Sequence, residues 1–138
     1  MKLKTLLPLL LITLISMSSC LGNSQTEPEI DKTTLTDELA VYYYKLKVKG
    51  NYKECISNMN SCDSTTDKYK NRMHDMLKHH ANGIKSEKQG VDSIFVTRKQ
   101  YNAQGNIAYV FLNVRYKDQT QEEILLPLVR KDNEWHLR

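Results

Sequence analysis

The hydrophobic pattern of this chain changes period at Gly90. Upstream, apolar residues recur every three or four positions, the spacing that puts side chains on one face of a helix. Downstream, they alternate with polar residues, the spacing of a strand with one buried face. Helices come first, and closely connected strands follow. The order predicts an α+β domain, with N-terminal helices packed on a curved antiparallel sheet of about four strands.

In the helical half, Thr34-Leu35-Thr36-Asp37 supplies a cap, and Asp37 and Glu38 suit the positive end of a helix. Leu35, Leu39, Tyr42 and Leu46 then recur in register. Tyr44, Leu46 and Val48 also alternate with Lys45, Lys47 and Lys49, a strand pattern, but the longer helical register and the cap outweigh it. This register makes Tyr42 core, Tyr43 flanking and Tyr44 exposed, with the lysines on a solvated face. Gly50 ends the helix by taking the left-handed conformation. Asn51 with Glu54 predicts a capping box for a second helix that buries Cys55, Ile56 and Met59. Asn60 to Thr66 reads as a loop. A third helix runs from Asp67 to Lys88, with Tyr69, Met73, Met76, Leu77, His80 and Ile84 on one face and Asn82-Gly83 as its weak point.

After Gly90 the predicted strands are Val91–Arg98, Ile107–Tyr116, Glu122–Lys131 and a short run at Trp135-His136-Leu137. Pro127 marks an edge or a bulge. Short connections make the sheet a meander. One face carries Ile94, Val96, Val110, Leu112, Val114, Ile124, Leu126 and Leu128, all apolar. The other carries Tyr109, Phe111, Asn113, Arg115 and Leu125. Only this mixed face offers groups for a ligand or partner, and Arg115 suits bidentate contact with an anion.

The first twenty residues address the chain. Met1-Lys2-Leu3-Lys4 is a basic start, Leu6 to Met17 is apolar apart from Pro8, Thr13 and Ser16, and Ser18-Ser19-Cys20 follows. These are the parts of a secretory signal peptide. The apolar run is shorter than the ~20 residues that span a bilayer. Cys20 after small residues resembles the lipobox of bacterial lipoproteins, whose cysteine is lipidated and becomes the first mature residue; Met17 departs from the usual Leu. The resemblance implies a signal peptide at 1–19, a lipidated Cys20 and tether at 20–33, and one domain at 34–138. Leu21, where an Asp would favour inner-membrane retention, implies the outer membrane, with the domain facing the periplasm.

Formal charge is +4, and setting aside Lys2 and Lys4 leaves +2. The remaining charges are interspersed, which argues against nucleic acid as a partner. Cys55 and Cys62 have two readings, a disulfide permitted by an oxidising compartment or two separate buried thiols. There is no CxxC or HxxxH pattern, and His74 and His79 are five apart, so no metal or cofactor is expected. Asp75 and His79 stand four apart on one helix face but have no nucleophile beside them. No catalytic residue is assigned.

Lys49-Gly50-Asn51-Tyr52-Lys53-Glu54, the Gly90-Val91 strand start and the closing Lys131-Asp132-Asn133-Glu134-Trp135-His136 resemble one family. It is the DUF-class of small bacterial lipoproteins with a nuclear-transport-factor-2-like, cystatin-like cone fold, once labelled lumazine-binding. The resemblance covers Leu35 to Arg138 and implies the fold, not a chemistry. Two functional readings follow. One is a non-enzymatic, envelope-anchored binding or interaction module. The alternative is a small-molecule-binding or enzymatic domain with a pocket between helices and sheet. The wholly apolar face favours the first.

Overall fold

The computed structural model describes residues 29–138, so Cys20 and the leader lie outside the described residues. Three helices come first: α1 (Asp37–Val48), α2 (Tyr52–Ser57) and α3 (Asp67–Lys88), with a 3-10 turn at Asn60–Cys62 before α3. Four strands follow: β1 (Val91–Tyr101), β2 (Ile107–Tyr116), β3 (Gln121–Lys131) and β4 (Glu134–Leu137). They lie in sequence order, each antiparallel to the next. The sequence boundaries of α3 and β2 are those observed.

Local chemistry explains the ends. Thr36 accepts a bond from the Leu39 amide at 3.1 Å, and Thr66 accepts one from the Tyr69 amide at 3.3 Å. Both satisfy amides that a helix start leaves unpaired. The α2 capping box does not form. Asn51 has φ −87° and ψ 48°, away from the extended cap conformation, and makes no side-chain cap bond. Glu54 accepts instead from the Tyr42 hydroxyl. Helix α3 continues through Asn82-Gly83 and reverses at Gln89 and Gly90, both left-handed. The Gly90 amide bonds back to the Ile84 carbonyl at 3.3 Å, so the change of period is one tight turn.

In the sheet, Asp132 (φ 51°) and Asn133 (φ 66°) form the mirror-image turn that suits a two-residue hairpin. Pro127 pairs with Tyr109, and its carbonyl accepts from the Arg138 amide. Its missing N–H therefore faces past the end of the four-residue β4, where β3 has an open edge.

The helices cover one sheet face. Ala108, Val110, Leu112, Val114, Tyr116, Leu126 and Leu128 are buried there, beneath Leu39, Leu46 and Ile56. The tyrosine run turns differently from the expected order. Tyr43 and Tyr44 are buried, and Tyr42 lies at the margin. The physical reason is that α1 is covered along two adjacent rows, Leu39-Tyr43-Leu46 and Ala40-Tyr44. The Tyr43 hydroxyl reaches across to donate to the Trp135 carbonyl at 2.5 Å. Lys47 is not on a solvated face either. It is half-buried, and burial lowers its pKa.

The α3 face is also shorter than its pattern. Only Leu77, Ala81 and Ile84 are buried, all from the middle of the helix onward. Tyr69 and Met76 are exposed, as is His80. Met73 packs partly against the core, and α2 lies beside the first turns.

Candidate functional site

The inner face of the sheet is a packed core. Val110, Leu112 and Val114 have no exposed surface, and Tyr44 and Tyr116 close one end. The Tyr116 hydroxyl donates to Glu122, and burial raises the pKa of both tyrosines. At the opposite end, Ala108 is small enough for Tyr101 on β1 to reach Trp135 on β4, with ring centroids 6.0 Å apart. The sheet therefore curls onto its own side chains and encloses apolar matter.

The outer face is chemically different. Tyr109, Phe111, Asn113 and Arg115 alternate with the buried set, as the period-two pattern requires. Register places Phe95 beside Asn113, Arg98 beside Phe111, and Leu125 across from Phe111 on the other side. Phe95 is 42% exposed and Leu125 50%. The Arg98 guanidinium lies 3.8 Å from the Phe111 ring centre, and that of Arg115 lies 5.5 Å from Phe95. Such contacts orient an arginine while leaving its N–H groups free to bind. Glu123 approaches Arg98 at 3.9 Å, and Arg138 reaches the Tyr109 hydroxyl at 3.5 Å. The side-chain oxygen of Asn113 is buried and has no donor among the described residues. The result is an aromatic and aliphatic patch held between arginines.

Phe95 and Arg98 were not among the expected site residues. Strict alternation from Ile94 and Val96 would turn Arg98 into the core. A bulge between Val96 and Arg98 shifts the phase by one residue. Thr97 is the extra residue, and its hydroxyl bonds to the Phe111 carbonyl at 3.1 Å. Lys99 then points inward and pairs with Asp37 at 2.7 Å.

The remaining candidates separate. Asp75 contacts His74 at 3.7 Å, not His79. His74 is held edge-on to Tyr52, 5.4 Å between ring centres, on one wall of an open cleft of about 770 Å³ between α2 and α3. Among the described residues no three His, Cys, Asp or Glu side chains converge as metal ligands. Cys55 and Cys62 are both buried free thiols, and the Cys62 sulfur sits 4.0 Å from that of Met59. The bridge permitted by the sequence is not formed.

Burial pushes the Cys55 thiol up to about 11, so it holds little reactive thiolate near neutral pH. Alkylation of the folded chain without reductant is expected to leave both thiols unmodified, and alkylation in denaturant to modify both. Intact mass reads the result. Protection that survives denaturant would show that a bridge forms after all.

No family model and no curated protein matches this chain. A solved structure from Campylobacter jejuni, named "Putative NTF2-like transpeptidase", matches it with a TM-score of 0.61. The match covers 72% of this chain and 94% of the other, at 18% identity. At that identity the likeness is one of fold. Helices followed by a curved four-stranded antiparallel sheet give this chain the nuclear-transport-factor-2-like α+β fold.

Proposed function

We propose that the chain is an envelope-anchored, non-enzymatic interaction module of the DUF-class lipoprotein type, facing the periplasm from the outer membrane. Its outer sheet face takes a polypeptide partner that offers apolar side chains and carboxylates. The observation that carries the reading is the contrast between the two faces: Leu112 and Val114 fully buried on one, Phe95 and Leu125 about half exposed on the other. Exposed apolar groups rimmed by arginine are the ordinary composition of a protein contact. Arg98, Arg115 and Arg138 outnumber Glu123 on this face, so complementary charge belongs to an acidic partner. The Campylobacter neighbour is named a transpeptidase, yet peptidyl transfer needs a nucleophile with a base beside it. The groups on the outer face supply neither.

The test places a photo-crosslinking amino acid at position 125 of the full chain in intact cells. A discrete adduct with one acidic envelope protein is expected. It should be lost in Arg98→Glu with Arg115→Glu, and absent when the probe replaces Lys85. A small molecule that binds the purified chain, turns over, and loses turnover in Arg115→Ala would overturn the reading.

The anchor has its own test. Wild-type chain is expected to incorporate a fatty-acid analogue, and Cys20→Ala to lose the label entirely. Equal labelling of both would remove Cys20 from the proposal.

A further inference from the structure

Helix α3 has a second surface that the outer sheet face does not explain. Its 22 residues extend about 33 Å, but only Leu77, Ala81 and Ile84 are buried, with Met73 packed partly against the core. On one flank of that row, helical spacing sets out an arc of Lys68, Tyr69, Arg72, Met76, His79 and His80. Tyr69 is 40% exposed and Met76 60%, two of five large apolar side chains left open among the described residues. Asp75 borders this arc and Glu87 follows it in line two turns past His80, and between Lys68 and His80 the arc carries no carboxylate.

We propose that this arc of α3 rests on an anionic bilayer surface. Lysine and arginine interleaved with an aromatic and a flexible apolar side chain is the composition of a helix lying in a membrane interface. Tyrosine in particular places an apolar ring and a polar tip at headgroup depth. No described helix is long and apolar enough to cross a membrane, so contact is lateral. Charge selects the occupant: Arg72 and Lys68 stand about one and two turns before Met76 and attract anionic headgroups, each within a Debye length of the surface.

The path of the chain agrees. The Lys32 carbonyl accepts from the Trp135 amide at 2.8 Å, and its ammonium reaches the Asn58 side chain at 2.9 Å. Lys32 therefore joins the fold beside Asn58, just past α2, in the segment that leads through the 3-10 turn into the N-terminal part of α3. The helix layer and the outer sheet face lie on opposite sides of the core, so a membrane on one leaves the other open. The two surfaces are independent, and either can fail alone.

The experiment puts an environment-sensitive fluorescent amino acid in place of Met76 in the full chain, reconstituted with vesicles. Vesicles of mixed phosphatidylglycerol and phosphatidylcholine are compared with phosphatidylcholine alone. The probe is expected to shift to the blue and be quenched by a lipid-borne quencher only in the anionic vesicles. The same probe in place of Leu125 should report water in both. Lys68→Glu with Arg72→Glu should lower the contacting fraction by about tenfold or more, with the far-ultraviolet helix signal unchanged. Equal quenching at 76 and 125, or none at 76 in anionic vesicles, would overturn the proposal. A blue shift caused by polyglutamate but not by anionic vesicles would also overturn it, in favour of an acidic protein.

Discussion

Trp135→Ala is expected to remove about 3–5 kcal/mol of folding stability, a large part of the roughly 5–15 kcal/mol that holds a domain of this size. The side chain is only 5% exposed and packs edge-on to Tyr101. Its backbone is tied twice, by the amide to the Lys32 carbonyl at 2.8 Å and by its carbonyl to the Tyr43 hydroxyl at 2.5 Å. β4 has four residues and pairs with β3, with one further bridge from Leu137 to Met59. The indole is therefore the anchor by which N-terminal chain, α1 and β4 are held together. Removing it leaves a cavity at that junction and loosens both bonds. Urea unfolding measures the loss as a lower midpoint. A midpoint within error of wild type would show that β4 is held by its backbone pairing alone.

Leu112→Ala is expected to cost about 2–5 kcal/mol of folding stability. Leu112 sits mid-strand on β2, paired with Val96 and Ile124. Its side chain has no exposed surface. In a packed core the deletion loses transfer energy and leaves a void, whereas in a hollow cone it would merely widen a solvated pocket at little cost. The same measurement therefore tests the filled interior on which the non-enzymatic proposal rests. A cost below about 1 kcal/mol would mean that the inner face is only loosely filled.

Much of this was legible before any coordinates. The boundaries of α3 and β2, the cap at the start of α1 and the apolar sheet face all follow from period and cap chemistry, because one buried face imposes a strict repeat; Thr66, which reads only as loop, caps α3. What failed did so where two surfaces compete for one element. Tyr42, Tyr43 and Tyr44 are chemically identical, so only the direction of covering layers decides which are buried. Tyr69 and Met76 lie at the margin of the helical repeat of α3, roughly a quarter-turn round from Leu77, and sequence carries no measure of how wide a row the fold covers. Of the mixed face, Tyr109, Phe111, Asn113 and Arg115 were readable. Phe95 was passed over, and Arg98 was hidden by an irregularity that leaves no mark in composition.

That irregularity has an evolutionary consequence. Because Thr97 is the extra residue of the β1 bulge, the bulge, and not only the order of residues, decides what the strand displays. With Thr97 drawn into regular pairing, Arg98 and Lys99 would exchange between surface and interior. The Lys99–Asp37 pair would open, and the guanidinium would leave Phe111. Loss of the Thr97 codon would instead restore the alternation with Arg98 still outside and Lys99 still inside, so a lineage could shorten β1 by this residue without changing the face it displays. Related chains are best aligned on β2, with β1 free to slip.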